Sequence, residues 1–80
     1  MNTKTLRLKE VLKDGLRLQM DDDSIWNIFP GHIPQVHDWV PKVTVNIRIS
    51  DKYLDFPYLL TNEDTKVAVN AMIRQEKPTQ

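Results

Sequence analysis

The seven residues Val43-Thr44-Val45-Asn46-Ile47-Arg48-Ile49 constrain this chain more than any other stretch. Valine or isoleucine fills every odd position and a polar or charged side chain every even one. That period of two belongs to a strand with one face buried and one face wet. The remaining segments must then supply other strands to cover Val43, Val45, Ile47 and Ile49.

Upstream, Thr5 to Leu12 reads as a strand with Leu6 and Leu8 on one face and Arg7 and Lys9 on the other. Lys13-Asp14-Gly15 reads as a tight hairpin, with Gly15 taking the left-handed conformation such turns need. This register pairs Leu12 with Leu16 and Leu8 with Met20. It also aims Glu10 inward and Val11 outward, so either a bulge near Lys9 and Glu10 resets the alternation, the preferred reading since small barrels need such bends, or Glu10 lies at an exposed edge. Leu16 to Met20 forms the second strand, and Asp21-Asp22-Asp23-Ser24 a second turn. A loop of Asp22-Asp23-Ser24 sets Met20 against Trp26 and Leu18 against Ile28. Trp26 is then the largest core side chain, and its indole N–H needs an acceptor near the rim.

From Phe29 the alternation stops. Pro30, Pro34 and Pro41 exclude a central strand, and Pro34 suits a single helical or 3₁₀ turn near residues 34–39, turning Ile33, Val36 and Trp39 toward the sheet as a plug. Beyond Ile49, Ser50 to Pro57 reads as a loop, Tyr58 to Thr61 as a short strand, Asn62 to Lys66 as a polar turn, and Val67 to Ile73 as a last strand. Val67, Val69, Ala71 and Ile73 share one face of that strand, which offers an edge for β-augmentation or self-association. The expected fold is all-β: one small antiparallel barrel or strongly bent sheet of about six strands over residues 1–73, followed by a polar tail, 74–80. Its core should join Val43, Val45, Ile47 and Ile49 to Leu8, Leu18, Met20, Trp26, Ile28 and Val69.

In strand number and length the chain resembles the Src-homology-3-like small barrels and, as the alternative, the oligonucleotide-binding ones. More narrowly, the acidic Asp-Ser turn, the Ile25-Trp26-Asn27-Ile28 strand, the Trp39-Val40-Pro41 segment and the Val-x-Val-x-Ile strand are similar to small uncharacterised bacterial β-barrel proteins, over most of residues 5 to 73. Those proteins carry no assigned activity. True Src-homology-3 domains have an Ala-Leu-Tyr-Asp-Tyr motif and adjacent tryptophans; this chain has neither, so no peptide-groove residues carry over.

Most chemistry is excluded by what the 80 residues contain. With no cysteine there is no disulfide, thiolate zinc site or cysteine nucleophile. Asp21, Asp22 and Asp23 are consecutive, whereas a calcium loop alternates its ligands and ends on glutamate; they read as solvated turn residues. His32 and His37 are five apart, off a common helical face, and too few for a zinc site; they read as polar loop positions. Ser24 and Ser50 lack the glycines of a nucleophile elbow, and two glycines in all make no phosphate-cradling loop. The expectation is therefore no enzyme, no metal and no cofactor. Residues 1–7 hold no apolar run and nothing approaches a membrane span, which gives a cytoplasmic expectation without membrane partners.

Eleven basic residues balance eleven acidic ones, so an electrostatic role depends on local pattern. Arg7, Lys9, Arg17 and Arg48 fall on outward strand positions, while the acids gather in turns. A basic outer face of this kind, combined with exposed aromatics, is how small barrels bind single-stranded nucleic acid. The aromatics expected to be exposed, Tyr53, Phe56 and Tyr58, instead belong to an aspartate-rich segment, which disfavours a phosphate ligand. Three aromatics and a leucine in six residues suit either a lid over the barrel end or a partner-binding patch. The preferred reading is a non-enzymatic barrel that binds a protein partner or self-associates through Tyr53, Phe56 and Tyr58. Nucleic-acid binding through Arg7, Lys9, Arg17 and Arg48 is the alternative.

Overall fold

β1 (Lys4–Leu12) pairs along both of its edges, and that is what closes the molecule. In the computed structural model, which describes residues 4–75, it is followed by β2 (Arg17–Met20), β3 (Ile25–Ile28), α1 (Ile33–Val36), β4 (Thr44–Ile49), β5 (Tyr58–Asn62) and β6 (Ala68–Gln75). Short 3₁₀ turns occupy Lys13–Gly15 and Pro30–His32. The strands form a closed barrel in the order β1-β2-β3-β6-β5-β4, every pair antiparallel. Two meanders, β1-β2-β3 and β4-β5-β6, are thus joined along β1–β4 and β3–β6. β6 runs past Ile73 to Gln75; the rest of the expected tail, residues 76–80, lies outside the described residues, as do residues 1–3.

The bulge expected near Lys9 and Glu10 is present, between Leu8 and Glu10. Before it, Lys4 to Arg7 pair with β4; after it, Glu10 to Leu12 pair with β2. The extra residue exposes Glu10 and turns Val11 onto the core. Leu8 pairs with Met20 as the hairpin register requires. The same extra residue then moves Leu12 from Leu16 to Arg17, and Leu16 sits outside β2, exposed.

The β2–β3 register also differs from the expected one. Leu18, not Met20, pairs with Trp26, because the turn is Asp21-Asp22-Asp23 rather than Asp22-Asp23-Ser24. Asp23 takes the left-handed position with φ 71°, and its N–H donates to Met20 O at 2.9 Å. A slip of two residues preserves which face is buried, so the core is unchanged.

The barrel interior buries Leu8, Leu18, Met20, Trp26, Ile28, Val43, Val45, Ile47, Leu60, Val69 and Ala71, and the crossover from β3 to β4 adds Val36 and Trp39. Each such aliphatic side chain stabilises the fold by roughly 1.5–3 kcal/mol. Ile33 packs partly buried against this cluster, so the proline-opened turn is the plug its spacing predicts. Ile49 is a correction: it is 53% exposed, because it sits in the last pair of the β4–β5 ladder, opposite Tyr58, with no core beyond it. The free edge expected on the last strand is a second correction. β6 hydrogen-bonds to β5 on one side and to β3 on the other, so barrel closure leaves it no edge to offer.

Candidate functional site

The wall of the barrel carries an aromatic cluster built where β3 leaves the sheet. In an antiparallel ladder a hydrogen-bonded pair exchanges two N–H···O bonds. Phe29 makes only one of them with Asn70: its N–H donates to Asn70 O at 2.8 Å. Its own carbonyl is turned away into the Pro30–His32 turn, where it accepts from His32 N at 2.8 Å. The Asn70 N–H left over donates to His32 Nδ1 at 3.0 Å. The imidazole therefore takes the place of the Phe29 carbonyl and continues the ladder with a side chain.

Around this junction four rings meet. Phe29 is stacked by Tyr53 with centroids 4.0 Å apart and 18° between planes. Phe56 and His32 meet Phe29 edge-on at 5.5 Å and 5.0 Å. His32 also meets Tyr53 at 6.0 Å. Such pairs add about 0.5–1.5 kcal/mol each beyond the area they bury. Gly31 makes room for the arrangement, since a Cβ there would lie 2.8 Å from Phe29 Cε2.

The loop from Ser50 to Pro57 supplies two of the rings and is closed at its base. Ser50 N donates to Pro57 O at 2.7 Å, and Phe56 N to Tyr53 O at 3.1 Å. Asn70, buried beneath it, donates from Nδ2 to Phe56 O at 3.4 Å. Lys52 Nζ lies 5.6 Å from the Tyr53 ring centroid, within cation–π range. Leu54, between Tyr53 and Phe56 in the chain, is 93% exposed.

His32 is neutral in this setting, with the proton on Nε2, since Nδ1 accepts. Its pKa is lowered from 6.5 by burial first and by the nearby Lys52 charge second. A second polar network stands at the other end of β3. Trp26 Nε1 donates to Ser24 Oγ at 2.9 Å, and Ser24 Oγ donates to Asp22 Oδ1 at 2.6 Å. Ser24 Oγ is thus the rim acceptor the indole requires, and Ser24 N also donates to Asp22 Oδ1, at 3.0 Å. Burial alone would raise the Asp22 carboxyl; the two Ser24 bonds and the Lys4 charge outweigh it, and its pKa lies below the ordinary carboxylate value.

Of the three aromatics singled out from the sequence, Tyr53 and Phe56 come together, half-buried rather than exposed. Tyr58 does not join them. It meets Trp26 edge-on at 5.2 Å and packs against the core. The basic residues divide as well. Arg7 and Lys9 line a groove of about 420 Å³ together with Leu8, Asp21, Pro41 and Lys42. Lys9 is paired there with Asp23 at 3.1 Å. Arg17 donates from Nε to Asn27 Oδ1 at 3.2 Å, and Arg48 lies opposite Leu59; neither lines the groove.

Sequence reasoning missed His32, Phe29 and Lys42 as members of these surfaces; it counted Leu54 in the 53–58 patch but singled out only the aromatics there as contacts. His32 reads as loop because its partner Asn70 is 38 residues away. Comparison with known protein families, curated proteins and solved structures finds no match to this chain.

Proposed function

We propose that the protein is a non-enzymatic interaction module that engages a protein partner through the 50–57 loop, with Leu54 as the apolar contact. One observation carries the reading: a leucine 93% exposed at the tip of a loop whose neighbouring aromatics are already fixed on Phe29. A lone surface leucine needs no explanation. A leucine presented by a pre-ordered loop is different, because little conformational freedom remains to be lost on binding. Tyr53 and Phe56 act here as the scaffold rather than as the contact. Exposed Asp51 and Asp55 outnumber the one exposed cation of the loop, Lys52, and half-exposed Ile49 precedes the loop, so the complementary surface is an apolar pocket with a basic rim.

Affinity capture with wild type and Leu54→Asp tests this. A partner retained by the wild type and lost from a variant with an unchanged unfolding midpoint supports the loop; identical captured sets count against it. Light scattering on both proteins covers the self-association form, since a dimer that Leu54→Asp dissociates makes the partner a second copy of the chain.

A second reading is favoured by the groove between Arg7, Lys9 and Lys42, which would take the phosphates of a single-stranded nucleic acid. Asp21 in its lining and the Lys9–Asp23 pair weaken its field. A salt titration of labelled single strands against wild type and Lys42→Ala distinguishes it: phosphate contacts give an affinity that falls steeply with salt and drops in the variant.

A further inference from the structure

We propose that His32 is a proton-sensitive latch for the 50–57 loop: the neutral ring holds the Asn70 amide and keeps the aromatic cluster closed, and the protonated ring releases both. The proposal rests on the reading of the loop as a docking element and adds its regulation. The geometry is what makes the ring sensitive. Nδ1 accepts from Asn70 N at 3.0 Å, and a protonated imidazole has two donors and no acceptor. Protonation therefore sets two donors face to face across a buried residue, Asn70, whose N–H has no other partner because the Phe29 carbonyl is committed to His32 N.

The surroundings give the cation no compensation. Phe29, on the strand side, is an uncharged ring, and Asn70, on β6, is uncharged as well. From the 50–57 loop, Tyr53 faces the imidazole at 6.0 Å and Lys52 adds a like charge. Asp51 and Asp55 are exposed, and among the described residues no ion pair joins either to His32. After the helix, Asp38 is almost fully exposed, its carboxylate 3.6 Å from His37 Nδ1, and among the described residues no ion pair joins it to His32. The ring that must leave is the one wedged against both Phe29 and Tyr53, so the stack that fixes the loop loses a member when it goes.

Nuclear magnetic resonance on the full chain between pH 7.5 and pH 5 tests the latch. Imidazole nitrogen shifts should report the Nε2–H form at pH 7.5 and a midpoint below 6.5. With that same midpoint, the Asn70 amide should lose about tenfold or more of its protection from hydrogen exchange, and the Tyr53 ring signals should move. Amides of the β1–β4 ladder, Lys4 to Arg7 with Thr44 to Ile47, which includes neither His32 nor Asn70, should keep their protection. His32→Asn, whose side-chain oxygen can accept the same bond without titrating, should hold the closed state across the range. His32→Ala should show the low-pH pattern already at pH 7.5. Asn70 protection that stays constant while His32 titrates, or the same pH response in His32→Ala as in the wild type, overturns the proposal. These readouts concern the free protein, so a failed latch is distinguishable from a loop that binds no partner.

Discussion

Ser24 meets two demands with one hydroxyl. It accepts the Trp26 indole N–H and donates to Asp22, so a core tryptophan is buried without an orphaned donor. Ser24→Ala removes the acceptor and leaves the N–H unpaired inside the barrel. We expect a loss of about 1–3 kcal/mol in urea unfolding, the range for an unsatisfied buried donor. A small domain has only about 5–15 kcal/mol in total, so the midpoint should move visibly. The need for an indole acceptor was legible from Trp26 alone. Its identity was not, because it depended on which of four turn residues, Asp21 to Ser24, entered the strand. Likewise, alternation assigns Ile49 to the buried face, and a periodic pattern carries no mark of where the barrel ends.

At the scale of elements, Gly15 ties the first hairpin to the crossover. Its φ of +104° is left-handed, and a Cβ there would stand 3.1 Å from Ile33 O and 3.2 Å from Val36 Cγ2. Val36 is fully buried and has little room to yield. Gly15→Ala therefore combines backbone strain with a clash, and should destabilise by about 1–3 kcal/mol in the same unfolding assay. The strands themselves were readable because alternation, turn residues and prolines mark them locally. The β1 bulge was readable for a sharper reason: without it Glu10 would be buried and Val11 wet. Pairings such as β1–β4 and β3–β6 join segments with no shared turn, and nothing local specifies them. The aromatic cluster was half legible for the same reason. Tyr53 and Phe56 stand close together in the chain, whereas Phe29 and His32 reach them only through the closure of β3 on β6.

For the whole molecule, the two shifted groups set the acid side of the stability profile. The folded state lowers the pKa of His32, so the unfolded chain binds its proton more readily. Stability from His32 is complete above 6.5 and declines as pH falls below that value, until the folded ring is itself protonated. Asp22 is lowered too, from 3.8; its contribution is present above that value and is lost as pH falls through the folded one. Urea midpoints measured from pH 8 to pH 2 should fall in two separate stages. His32→Asn should remove the upper stage and leave the lower.

On the proposed function, the barrel meets its partner through the tip of the 50–57 loop. A benzophenone side chain in place of Leu54, and separately in place of Lys42 in the basic groove, allows photo-crosslinking from each surface in turn. Docking through the loop tip predicts a protein adduct from position 54 that is absent from position 42. No adduct from position 54, with nucleic acid crosslinked from position 42, would contradict it.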